Sequence, residues 1–87
     1  MAKHRRYRMG QNIRAHVDTK LRCSDDNRKS LKIISRELVR TRCIDRVVEC
    51  VGNRHVVLAI CPTEGARRHF EEQVRKHAKV LELAKGV

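Results

Sequence analysis

"RCIDRVVECVGNRHVVLAIC", from Arg42 to Cys61, holds two β-branched runs on either side of Gly52-Asn53. A two-residue link of this composition favours a primed turn, whose twist matches that of the strands it joins. Val51 then stands opposite Arg54, and alternation sorts the hairpin into two faces. One face carries Val47, Val51, Val56, Leu58 and Ile60, interrupted by Asp45, Glu49 and Arg54. The other carries Ile44, Val48, Cys50, Val57, Ala59 and Cys61, interrupted by Arg46 and His55. Both are substantially apolar, but helices cover only one side of a small sheet. The face with the larger aliphatics is expected beneath them. The opposite one, with Ile44, Arg46, Val48, His55 and Val57, is then expected to meet a partner or a second copy of the chain.

Toward the N-terminus, "IRAHVDTKLRC" (residues 13–23) alternates strictly. Ile13, Ala15, Val17, Thr19, Leu21 and Cys23 form one row; Arg14, His16, Asp18, Lys20 and Arg22 form the other. This is a half-buried strand with a cationic outer face. Between it and the hairpin, Ser24, Asp25 and Asp26 offer N-caps for a helix from Asn27 to Thr41. Leu31, Ile34 and Leu38 make its apolar stripe, widened by Ile33 and Val39. Past the hairpin, Pro62 ends the strand and Thr63 caps a second helix, Glu64 to Ala84. Its stripe is Ala66, Phe70, Val74, His77 or Ala78, Leu81 and Ala84, and Gly86 stops it.

The order β-α-β-β-α predicts an α+β domain. It has a three-stranded, mostly antiparallel sheet with two helices on one face. A right-handed crossover places the first two strands parallel, with the third between them and antiparallel to both. The element order resembles the ferredoxin-like split β-α-β fold without its last strand. That resemblance implies an architecture and no function. Residues 12–87 form this single domain, and residues 1–11, "MAKHRRYRMGQ", read as a flexible basic arm.

Charge narrows the partners. The chain has 21 Lys and Arg against 10 Asp and Glu, a formal net charge of +11 over 87 residues. Residues 1–22 contribute seven cations and one acid, whereas residues 43–62 are balanced. Such asymmetry favours polyanions, because cations gain by releasing the counterions condensed on phosphates. Lys3, Arg5, Arg6 and Arg8 of the arm, with Arg14, His16, Lys20 and Arg22 of the first strand, are the expected contacts, aligned as one patch. No strand carries an aromatic ring and no Gly-x-x-Gly loop is present, so recognition rests on the phosphate backbone of DNA or structured RNA, with little sequence preference. The alternative is a protein–protein interaction module docking on an acidic surface of a nucleic-acid-handling complex. Accessory or inhibitory proteins of phages and mobile elements, such as those that block CRISPR complexes, have this character. A metal-independent RNA-cleaving toxin is the third reading.

Other chemistry is poorly supported. Cys23, Cys43, Cys50 and Cys61 contain no C-x-x-C pair, and Cys50 and Cys61 fall about 20 Å apart along the hairpin. No metal or other cofactor is expected. The cysteines read as small buried hydrophobes kept reduced, with no disulfide framework. Asp45 and Glu49 lie roughly 13 Å apart along one strand, far for a shared metal. Asp18 and Lys20 share a face crowded with cations, and Cys50 beside His55 reads as packing rather than a nucleophile with its base. His69 and His77 lie two turns apart on the last helix. No enzyme is predicted. With no signal-peptide pattern and no apolar span, a soluble cytoplasmic protein, free of membranes and a possible homodimer, is expected.

Overall fold

The computed structural model describes residues 12–85. The arm cations Lys3, Arg5, Arg6 and Arg8 lie outside the described residues. The elements are β1 (Ile13–Arg22), α1 (Asp25–Glu37), a 3-10 turn (Val39–Thr41), β2 (Ile44–Val51), β3 (Arg54–Cys61) and α2 (Glu64–Lys85). The sheet order is β1-β3-β2, with β3 antiparallel to both neighbours. Val51 pairs with Arg54, and Gly52 and Asn53 both adopt positive φ, as the primed turn requires. Both helices cover one face of the sheet, as expected.

The identity of that face differs from expectation. Val48, Val57, Ala59 and Cys61 join Ala15, Val17 and Leu21 in the core against Leu31, Phe70, Val74 and Ala78. Val48, His55 and Val57, expected on a partner surface, are therefore buried. Register explains it. Ala15 and Val17 stand opposite Ala59 and Val57, so the face that β1 buries fixes which face β3 buries. Small Ala, Val and Cys side chains make up the covered face of the sheet, and Phe70 is fully buried against them. Val47, Leu58 and Ile60 lie on the uncovered side.

A bulge near the start of β2 moves two more residues. Asp45 has a positive φ, and Ile44 pairs with Ile60 where an unbroken ladder would give Cys61. Ile44 consequently stays exposed. Arg46 turns away from any partner surface toward the C-terminal end of α1. Its Nη1 donates to the carbonyls of Ser35 (2.7 Å) and Arg36 (3.2 Å), its Nη2 to Leu38 (3.4 Å) and its Nε to Cys43 (2.6 Å). Those of Ser35 and Arg36 are among the orphan carbonyls of a helix end. They explain why α1 stops at Glu37 and passes into a 3-10 turn, short of the expected Thr41. At its other end, the Ser24 hydroxyl accepts the Asn27 N–H. Ile33 and Val39 do not widen the stripe; both are exposed. Arg46→Ala is expected to cost about 2–3 kcal/mol in a denaturant titration, the scale of charge-assisted bonds left unmade. Arg36→Ala, on the exposed side of the same helix, should stay within about 0.5 kcal/mol.

The cysteines also depart from expectation. Cys23 bonds to Cys50 and Cys43 to Cys61, leaving no free thiol. Tertiary arrangement brings these pairs together: Cys43 enters β2 beside the end of β3, and Cys23 leaves β1 near the hairpin turn, its N–H bonded to Asn53 O.

α2 begins as predicted, with the Thr63 hydroxyl accepting the Ala66 N–H. Ala78, rather than His77, completes the buried stripe after Phe70 and Val74. No helix among the described residues is long and apolar enough to cross a membrane.

Candidate nucleic-acid interface

β1 presents its alternate side chains outward as its pattern requires, since Ala15, Val17 and Leu21 claim the core. Arg14, His16, Lys20 and Arg22 are exposed. None of the three Arg and Lys has a carboxylate within 4.0 Å among the described residues, whereas Arg54, Arg67, Arg68 and Arg75 do.

The row is not continuous. Arg14 and His16 stand opposite Ile60 and Leu58 on the open sheet face. Next comes Asp18, which accepts the Lys20 N–H (3.0 Å) and pairs with Arg54 (Nη2–Oδ2 2.9 Å). The turn this makes gives Lys20 a φ of 63° and interrupts the ladder between Asp18 and Arg22. Lys20 is thereby set at the β1–α2 edge, in a groove of about 270 Å³ shared with Arg75, Lys79 and Glu82. Arg22 resumes the ladder directly opposite Arg54. Like charges at that spacing repel, and Asp18 relieves only one of them. The expected single patch is thus three separate cationic points around a bulge.

The Lys20 N–H bond lowers the pKa of Asp18 most; partial desolvation opposes this, and Arg54 adds to the lowering. A depressed native pKa stabilises the fold above the unfolded value and loses that contribution on acidification. The Asp18 carboxyl should therefore titrate below 3.8 by NMR, with the Lys20 amide shift following the same curve.

The outer edge of β1 is closed by α2. Glu71, outside the apolar stripe of its helix, is nevertheless buried and accepts the His16 backbone N–H (2.9 Å). Arg67 (2.8 Å) and Arg75 (3.5 Å) compensate its charge. At His16 the edge of β1 therefore has no free amide to offer another strand.

The open face between β1 and β2 is apolar at its centre. A cleft of about 360 Å³ has Val47, Leu58 and Ile60 as its floor, with Arg14 and His16 on one rim and Asp45 on the other. Ile44 (59%), Val47 (43%) and Val51 (53%) remain exposed on or beside it. A second basic cleft, about 490 Å³, was not legible along the chain. Lys32 and Arg36 of α1 meet Arg46 and Asp45 there because the crossover returns α1 beside β2. The only sequence signal is the run of six cations from Arg28 to Arg42 with Glu37 alone among them. Phe70 is buried, so no Phe, Tyr or Trp ring lies on the described surface for base stacking.

The remaining chemical candidates are absorbed by structure. Cys50 is bonded to Cys23, and His55 Nε2 lies 3.0 Å from Ser24 N and 3.1 Å from Ser24 O. Asp18 holds Arg54. His69 is exposed and His77 half-buried. Among the described residues no three His, Cys, Asp or Glu side chains gather as a metal site. The chain matches no protein-family model, no curated protein and no solved structure.

Proposed function

We propose that this protein is a non-enzymatic, nucleic-acid-associated protein that grips the phosphate backbone of DNA or structured RNA with little sequence preference. The observation that supports this most is the state of Arg14, Lys20 and Arg22: exposed cations, none with a carboxylate within 4.0 Å among the described residues, on the strand that follows the basic arm. Arg22 facing Arg54 adds a place where a bound anion relieves repulsion. Arg supplies paired donors that match phosphate oxygens. The net charge of +11 supplies the long-range attraction.

Binding is to be measured with duplex DNA, single-stranded DNA and structured RNA at two salt concentrations. If about six phosphates are engaged, log K falls with log salt at a slope of roughly −5. Absence of binding at low salt removes this reading.

A second reading has its own support. The exposed aliphatics Ile44, Val47 and Val51, flanked by Arg14 on one side and Asp45 and Glu49 on the other, suit a protein partner or a second copy on the open sheet face. Cytoplasmic residence, expected from sequence, places both disulfides in a thiol pool that tends to open such bonds. A count of free thiols in protein quenched with acid inside cells tests it: thiols favour the cytoplasm, and four paired cysteines favour an oxidising compartment.

A further inference from the structure

The two disulfides occupy opposite environments. Cys43 and Cys61 are both 0% exposed and belong to the core cluster. Cys50 is exposed and Cys23 half-buried. Together they line a cleft of about 210 Å³ with Ser24, Asp25, Arg28 and His55. Thiol–disulfide exchange requires a thiolate to reach a sulfur, so access alone separates the two bonds.

His55 adds a second, independent observation. It stands directly opposite Cys50 in the β2–β3 ladder and is 2% exposed. Its Nε2 is engaged with the Ser24 backbone, while its Nδ1 is buried with no hydrogen-bond partner among the described residues. When Nε2 accepts the Ser24 N–H, the neutral ring carries its proton on Nδ1. A buried donor without an acceptor is costly, and a sulfur thiolate formed in this cleft is an acceptor of the missing kind.

We propose that Cys23–Cys50 is a thiol–disulfide exchange site for low-molecular-weight thiols, with Cys50 Sγ as the atom attacked, while Cys43–Cys61 is an inert staple. An incoming thiolate RS⁻ forms an S–S bond to Cys50. The Cys23–Cys50 bond breaks, and its electron pair leaves on Cys23 Sγ as a thiolate, which His55 stabilises and which then takes a proton. A second RS⁻ attacks the outer sulfur of the mixed disulfide. This releases RSSR and expels Cys50 Sγ as a thiolate, which takes a proton from solvent, so that Cys23 and Cys50 end as thiols. Two thiols are oxidised and one protein disulfide is reduced.

The test uses the intact protein and glutathione, followed by alkylation and mass spectrometry. Cys23 and Cys50 are expected to open at least about 100-fold faster than Cys43 and Cys61, with the early glutathione adduct on Cys50. Equal rates for the two pairs, or an early adduct on Cys23, overturn the assignment. The imidazole is read separately. In His55→Gln, which can keep the Ser24 contact, the pH midpoint for alkylation of the reduced pair should rise by about one unit. An unchanged midpoint in a folded variant removes His55 from the site.

Discussion

The triple variant Arg14→Glu, Lys20→Glu, Arg22→Glu is expected to bind nucleic acid about 10²- to 10³-fold more weakly at 0.1 M salt. Each lost phosphate contact removes about 0.9 from the slope of log K against log salt, so three contacts account for a change near 2.7 in both slope and log K. The fold should survive, because all three side chains are exposed and none is ion-paired in the described structure. Circular dichroism and thermal melting check that point. Arg54→Glu makes a contrasting variant: it breaks the Asp18 pair as well as removing a cation, so it should perturb the β1 bulge. If the triple variant loses nucleic acid but keeps a captured protein partner, phosphates are the ligand of β1. If it keeps nucleic acid and loses the protein, the docking reading replaces the first.

Phe70→Ala should leave the domain only marginally stable. Phe70 is the largest fully buried side chain and belongs to the core that α2 shares with the sheet. Truncating a buried phenylalanine costs about 3–5 kcal/mol, against a total of about 5–15 kcal/mol for an ordinary domain. At 87 residues this chain stands at the lower end of that range. Leu83→Ala on the same helix is the control: Leu83 is exposed, and its loss should stay within about 0.5 kcal/mol. Urea denaturation at fixed redox state separates the two. Equal midpoints for them would mean that α2 is not seated on the sheet through Phe70.

The apolar stripe containing Phe70 could be read from the chain because helical periodicity is local. So could the caps at Ser24 and Thr63, the Gly52-Asn53 turn and the alternation of β1. From these the β-α-β-β-α order and the β1-β3-β2 sheet follow through the handedness of the crossover. The exposure of Arg14, His16, Lys20 and Arg22 was equally legible, since Ala15, Val17 and Leu21 leave them no other side.

Relations between distant segments were not legible. The parity of β3 against β1 decides whether Val57 or Leu58 faces the helices, and no local pattern encodes that parity when both hairpin faces are apolar. The bulge at Asp18–Arg22 has a local part, the Lys20 N–H on Asp18, but the Asp18–Arg54 pair and, at Ile44–Val47, the bonds of Arg46 to the carbonyls of α1 are made only after folding. Cysteine pairing likewise depends on which strand ends meet. Thus the sequence by itself determined the elements, their order and the outward cations of β1, because hydrophobic period and capping act within a few residues. Only the tertiary structure decided which sheet face stays open, which sulfurs join and how the bulge divides the cations, because each depends on register between segments far apart in the chain.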